Sequence, residues 1–136
     1  MGRIICIDFG MKRCGLAATD PFRIIVNPLT TVNTADLMVF LKEYLSKEKV
    51  DKLVIGLSVH TDGKETYIMQ EVRDFEKKCR LLWPELAIDY QDESFSSAQA
   101  KKIIMTSGLS KKKRQDKKLL DKISAVIILQ RYLKHI

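Results

Sequence analysis

The 136-residue sequence carries 24 Lys and Arg against 17 Asp and Glu, a net charge of +7, and 46% of its residues are hydrophobic. This length and composition predict one globular domain over residues 1–136. The longest aliphatic run, at 125–129, is too short to span a bilayer, and no secretory signal precedes the first predicted strand. We therefore expect a cytoplasmic protein with no membrane partner. The three cysteines and two histidines show no metal-ligand spacing, which argues against a disulfide framework or a zinc site and leaves oxygen ligands for any metal.

Hydrophobic periodicity and turn residues predict the element order βββαβαβαα. The first three strands are expected to form an antiparallel meander, with a tight connection at 10–12. Asn33 or Thr34 is expected to cap the first helix, and Ser96 with Gln99 forms the capping-box pattern of the third. The predicted strands span 3–9, 13–20, 22–32, 52–57 and 85–91, and the predicted helices span 35–49, 67–82, 96–108 and 117–134.

This order predicts an α/β fold, a five-stranded mixed sheet with helices on both faces. Strands and helices alternate after the meander, which implies right-handed crossovers and places the first, fourth and fifth strands parallel. Ligand sites in such sheets lie outside the carboxyl ends of the strands. Asp8 ends the first strand, the loop at 58–66 follows the fourth and Glu93 follows the fifth, so we expect all three at one edge.

Two carboxylates fall on apolar faces. Asp8 lies in an otherwise apolar strand, where a buried charge is costly without a cation, a set of donors or a metal. Asp121 lies in register with Ala125, Ile128 and Leu129 on the face that the last helix turns toward the core. Taken singly, Asp121 is better explained as a first-turn acid favoured by the helix dipole, and Asp8 is an acid that backbone donors could satisfy. Convergence with Glu93 at one edge favours a shared site.

Several carboxylates remain ionised close together only if they share a multivalent cation, and oxygen ligands suit Mg²⁺ or Mn²⁺. Two such ions about 4 Å apart can activate water and stabilise the leaving oxygen of a phosphodiester. The hypothesis also assigns a role to Gly10, whose bare backbone leaves room for a phosphate. Lys12 and Arg13, which follow closely after Gly10, are expected to contact the nucleic-acid backbone.

The excess positive charge is confined to one stretch. Between Lys101 and Lys118 there are eight basic residues and one acid, while the rest of the chain is neutral. A localised basic patch is typical of a nucleic-acid binder, and a solvated loop that aids solubility is the alternative. The expected phosphate contacts in this stretch are Lys111, Lys112, Lys113, Arg114 and Lys117.

Four stretches of the sequence together resemble a known family almost from end to end. They are IDFGMKRCGLAATDP at the start, VIGLSVHTDGKE after the fourth strand, DESFSSAQA after the fifth and DKISAVIILQRYL in the last helix. In this order they resemble the first hairpin, the DG loop, the acidic segment and the final helix of the YqgF (RuvX-like) family of ribonuclease H-like proteins.

The resemblance implies a metal-dependent nuclease of ribonuclease H-like fold, with Asp8, Glu93 and Asp121 as catalytic metal ligands and Asp92 as an accessory neighbour. It implies a role in trimming the 5′ end of pre-16S ribosomal RNA during ribosome biogenesis, with structured RNA as partner. The alternative is resolution of Holliday junctions in branched DNA, for which a homodimer is expected.

This sequence departs from the family pattern at three places. Ser58 stands where proline is usual, His60 where asparagine is common, and Ser94 where an arginine normally follows the acidic pair. The missing arginine removes a fork-shaped phosphate donor, so it affects the expected substrate contact more than the metal site. His60 is an accessory candidate that donates to a phosphate or leaving group, or else a solvated loop residue.

Two other functions remain open at the level of sequence. An Asp-x-Gly hairpin also forms the phosphate-binding loop of actin-like ATPases and sugar kinases, but these need two lobes and this length provides one. The chain is alternatively a nucleic-acid-binding module that keeps the acidic pocket without turnover, as Ser58 and Ser94 suggest.

Overall fold

The computed structural model describes residues 2–57, 65–92, 96–106 and 116–136; for 65–67, 92 and 96–98 it describes the backbone alone. Ser58, His60, Glu93, Ser94 and the basic residues at 111–114 lie outside the described residues. Among the helices that are described, none is both long and apolar enough to cross a membrane.

The described elements follow the predicted order. The strands are β1 (Arg3–Phe9), β2 (Arg13–Thr19), β3 (Val26–Asn33), β4 (Val50–Leu57) and β5 (Ala87–Asp92). The helices are α1 (Leu37–Lys47), α2 (Glu65–Leu82), α3 (Ser96–Thr106) and α4 (Lys117–Tyr132), with a short 3-10 turn over Thr34–Asp36.

The five strands form one mixed sheet in the order β3-β2-β1-β4-β5. β1 pairs in parallel with β4, and β4 with β5, whereas β2 is antiparallel to both β1 and β3. The predicted meander, the parallel strands and the fold class are therefore confirmed. The carboxyl ends of β1, β4 and β5 meet at one edge, as crossover connections require.

Successive β1 residues alternate between two apolar layers, because side chains of a strand point to opposite faces. Ile5, Ile7 and Phe9 pack in the larger cluster, to which α1 and α2 contribute. Ile4 and Cys6 pack in the smaller one, to which α4 contributes Ala125, Ile128 and Leu129. Asp8 continues the second series, so its side chain projects toward the α4 face.

The structure corrects two local predictions. β3 begins at Val26 rather than at Phe22, because the side chain of Asp20 accepts the backbone N–H groups of Phe22, Ile24 and Ile25 at 2.7–3.1 Å. These donors are thereby diverted from a strand ladder. The cap prediction is also wrong, since α1 begins at Leu37 and Asn33 makes no side-chain cap.

Helix α4 lies very close to the sheet, and two glycines permit it. A Cβ on Gly15 of β2 would lie 2.0 Å from the carbonyl oxygen of Asp121. A Cβ on Gly56 of β4 would lie 2.7 Å from the Cδ1 of Ile128. Near the other end of α4, the ammonium group of Lys52 donates to the Tyr132 hydroxyl, and this hydroxyl donates to the Asp89 carboxylate. These two hydrogen bonds attach the C-terminal end of α4 to β4 and β5.

We predict that Gly15→Ala strongly destabilises the protein, because the added methyl meets rigid backbone rather than a movable side chain. The expected loss in the free energy of unfolding is about 3 kcal/mol or more. Gly56→Ala is the matched comparison, because its methyl meets only side-chain atoms of Ile128 and no backbone, so its loss should be the smaller one. Urea unfolding of both variants measures the difference, and equal losses would contradict this account of the α4 contact.

Candidate metal centre

Asp8 lies one residue before the end of β1, between two glycines of the neighbouring strands. It pairs with Gly15 of β2 on one side and with Gly56 of β4 on the other. Because glycines have no side chains, α4 can pack directly on this row of the sheet and fill the space over both glycines. This close packing brings Asp121 near the Asp8 carboxylate.

The two carboxylates oppose each other electrostatically. Burial, and then the nearby charge of Asp121, raise the pKa of Asp8 from 3.8 to about 7. Near neutral pH the ion-free protein therefore holds Asp8 as a mixture of acid and carboxylate. A cation bound between the two groups would favour the ionised form.

Asp121 has a basic partner, Arg13. The Nε of Arg13 donates to the Oδ2 of Asp121 at 2.9 Å, and both side chains are half-buried. Arg13 begins β2 and Asp121 lies in the second turn of α4, so this ion pair joins the hairpin to the helix. In the ion-free protein, Arg13 thus offsets part of the negative charge of the site.

The β1–β2 turn is held from the side by Thr34. The Thr34 hydroxyl donates to the carbonyl of Gly10 at 2.7 Å, and its backbone N–H donates to the carbonyl of Lys12 at 2.9 Å. A Cβ on Gly10 would lie 2.5 Å from the carbonyl oxygen of Arg13, so the tight turn itself requires glycine. The role of Gly10 in leaving room for a phosphate stays a prediction.

The donor chemistry of the described residues fits a divalent cation. Asp8 and Asp121 offer hard oxygen ligands, and the Oδ1 of Asp121 is not used by Arg13. One turn after Asp121, the buried hydroxyl of Ser124 has no hydrogen-bond partner among the described residues. Within the described ranges no group of three potential ligands forms, so two carboxylates are what this part of the chain supplies.

The remaining predicted site residues are distributed around this pair. Lys12 is exposed in the hairpin turn, and Lys117 is exposed in the first turn of α4. Asp92 ends β5 and pairs with Leu57, so its backbone lies at the same sheet edge as Asp8. The predictions for Glu93, His60 and the basic residues at 111–114 fall outside the described residues and stay predictions.

Several residues that shape the site were missed by sequence reasoning. Gly15 and Gly56 looked like ordinary small residues of strands, and Thr34 like a helix cap. Glycine inside an apolar strand is a signal of close backbone approach, so both glycines were detectable in principle. The partner of Arg13 was not detectable, because the two ion-pairing residues are 108 positions apart.

Comparison with known proteins assigns relatives to the whole chain. The model of the RuvX family, described as Holliday junction resolvase, matches residues 2–135. A candidate pre-16S rRNA nuclease of Porphyromonas gingivalis is 47% identical over 133 residues, covering 98% of this chain and 96% of its own. Proteins of the same name from Parabacteroides distasonis and Flavobacterium psychrophilum are 45% and 42% identical and also cover 98% of this chain.

A solved structure shares the fold. Thermus thermophilus RuvC in complex with a Holliday junction substrate aligns with a TM-score of 0.58 at 12% identity, covering 98% of this chain and 96% of that one. At this identity the likeness concerns the fold alone. It confirms the predicted ribonuclease H-like architecture.

We predict that Asp8→Asn changes how stability depends on pH. In the parent, the raised pKa means that the folded state holds the Asp8 proton more tightly than the unfolded state. Its stabilisation is complete below pH 3.8 and is lost as pH rises toward about 7. In EDTA, the free energy of unfolding of the variant minus that of the parent should therefore be about 2 to 4 kcal/mol larger at pH 8 than at pH 4. Urea unfolding at both values measures this, and parallel pH profiles would contradict it.

We also predict that Arg13→Gln lowers the melting temperature in EDTA and tightens Mn²⁺ binding about five- to twentyfold, since it removes a competing positive charge. Lys12→Gln is the matched control, because Lys12 is exposed and makes no ion pair with another described residue. Calorimetric titration with Mn²⁺ gives the affinities. Equal affinities of the two variants would show that Arg13 does not compete for Asp121.

Proposed function

Because the chain belongs to the RuvX family, whose model spans residues 2–135, we propose that it is a single-domain, metal-dependent nuclease that hydrolyses phosphodiester bonds. We propose maturation of the 5′ end of pre-16S rRNA as its role, in keeping with the names of relatives 40–47% identical to it. A role in ribosome biogenesis agrees with the cytoplasmic location that the sequence predicts.

The observation that carries this proposal is the convergence of Asp8 and Asp121. They come from opposite ends of the chain, yet the charge of Asp121 acts directly on Asp8. Both lie where β1 ends, which is the edge at which such sheets bind ligands. Burial beside a second acid raises the pKa of Asp8 and so costs stability near neutral pH, which supports a functional reason for the pair.

The proposed mechanism assigns distinct tasks to the chain's own residues. Asp8 and Asp121 hold Mg²⁺ or Mn²⁺ through their oxygens, with Glu93 as the third proposed ligand and Asp92 as its neighbour. Bound divalent ions supply Lewis acidity, which lowers the pKa of water and stabilises the leaving oxygen. Arg13 offsets the negative charge of Asp121 when no ion is bound. Thr34 holds the β1–β2 turn, which leads into Arg13.

The nucleic-acid partner follows from charge. The proposed backbone contacts are Lys12, Arg13, Lys117 and the basic residues at 111–114, with Gly10 shaping the turn and His60 as an accessory donor. Such contacts give binding that weakens steeply with salt and carries little sequence information. Structured ribosomal precursor RNA is the proposed substrate.

A second candidate function is resolution of four-way DNA junctions. The description of the matching family favours it. Cutting two strands of a junction symmetrically calls for two active sites, so this function includes a homodimer. Trimming of an RNA end needs one site and is compatible with a monomer.

We predict that the protein cleaves a pre-16S RNA fragment with Mg²⁺ or Mn²⁺ and that Asp8→Asn and Asp121→Asn each lower the rate at least about 100-fold. Asp36→Asn is the control, because Asp36 is an exposed acid whose side chain makes no helix cap. Gel analysis of labelled RNA and of a four-way DNA junction compares the two substrates. Parent-like rates in the Asp8 variant would refute the catalytic assignment, and metal-independent RNA binding without cleavage would indicate a non-catalytic module.

A further inference from the structure

A cleft of 490 Å³ opens between α3 and α4 beside the carboxylate pair. This volume lies within the range of about 300–1,000 Å³ that is usual for small-molecule sites. The Arg13–Asp121 ion pair forms one end of the cleft, so anything bound there lies next to the proposed centre. The cleft is lined by Arg13, Lys101, Ile104, Met105, Asp116, Lys117, Leu120 and Asp121.

The lining combines an apolar floor with a basic rim. Ile104 is buried and Leu120 half-buried, while Met105 keeps 63% of its surface exposed. Lys101 and Lys117 are exposed on the two facing helices and form no ion pair with any other described residue. The apolar floor can cover the flat face of one base, and the two ammonium groups can pair with its flanking phosphates.

Both acids of the lining are already engaged within the protein. The Oδ1 of Asp116 accepts the backbone N–H of Lys118 at 2.9 Å, as the N-cap of α4. The Oδ2 of Asp121 accepts from Arg13. These bonds hold the two carboxylates in place but leave them charged. The lining therefore carries three cations, Arg13, Lys101 and Lys117, against two anions, and the two exposed lysines lie at its rim.

We propose that the α3–α4 cleft binds one unpaired RNA nucleotide next to the scissile phosphate, with its base on Met105 and its phosphates between Lys101 and Lys117. The inference rests on the proposed nuclease function and deepens it. A base in a duplex is stacked and paired and cannot lie on this floor. The cleft therefore gives the protein a preference for single-stranded RNA at the cleavage point.

The test is fluorescence anisotropy with a labelled 12-nucleotide RNA, free or annealed to its complement, in EDTA so that no cleavage occurs. Met105→Gln keeps the length and helix propensity of the side chain and should weaken single-strand binding about three- to tenfold, with duplex binding unchanged. Ile103→Gln is the matched control, because Ile103 is 47% exposed on the same helix and does not line the cleft.

Lysine variants test the rim. The salt dependence is the slope of the logarithm of the binding constant against the logarithm of the salt concentration. Lys101→Gln and Lys117→Gln should each make this slope for the single strand about 0.7 less steep, as expected for one lost phosphate contact. Their neighbours Lys102 and Lys118, which do not line the cleft, provide the controls Lys102→Gln and Lys118→Gln.

Three results would overturn the proposal: equal losses for Met105→Gln and Ile103→Gln, an equal loss on the duplex, or no binding of the parent to the single strand. These outcomes are separate from the failure of the nuclease function. A parent that discriminates single strands through Met105 but never cleaves them would retain the cleft and lose the enzyme. If the parent cleaves RNA but Met105→Gln does not change single-strand binding, the nuclease function is retained and the cleft proposal is rejected.

Discussion

The backbone of α4 lies on β2 at Gly15 with no room for a side chain between them, and the candidate site is a consequence of this contact. Gly15 pairs with Asp8, so the place where the helix touches the sheet is also the place where the strand carries its carboxylate. Asp121 is the helix residue at that contact. A larger residue at 15 would separate the helix from the strand and, with it, the two acids.

Where α4 packs on the sheet, the arrangement of charges suits the binding of a cation better than it suits the stability of the fold. Two carboxylates share a partly buried space, and Arg13 offsets one of them. Burial, and then the charge of Asp121, raise the pKa of Asp8 to about 7, so the stability that its protonated form provides is lost as pH rises to neutrality. Such sites are typical of places where a charged ligand is received, because the ligand supplies the missing charge.

The carboxylate pair and the α3–α4 cleft are neighbours, because Asp121 belongs to both and its ion-pair partner Arg13 also lines the cleft. The ion pair separates an acidic side, suited to cations, from a basic rim, suited to phosphates. The larger apolar cluster, with α1 and α2, lies on the opposite face of the sheet and supports it from behind. The proposed binding surfaces therefore both lie where β1 ends and α4 begins.

The sequence by itself determined the element order, the mixed sheet and the candidate acids Asp8 and Asp121, because periodicity and turn residues are local signals that appear directly in the chain. It placed β3 too early and misread Thr34, because the Asp20 and Thr34 side chains bond to backbone groups that the pattern assigns elsewhere. Only the tertiary structure decided that Arg13 pairs with Asp121, that Gly15 admits α4 and that a cleft opens between α3 and α4. These contacts join residues far apart in sequence, and their geometry depends on how the helix is seated on the sheet.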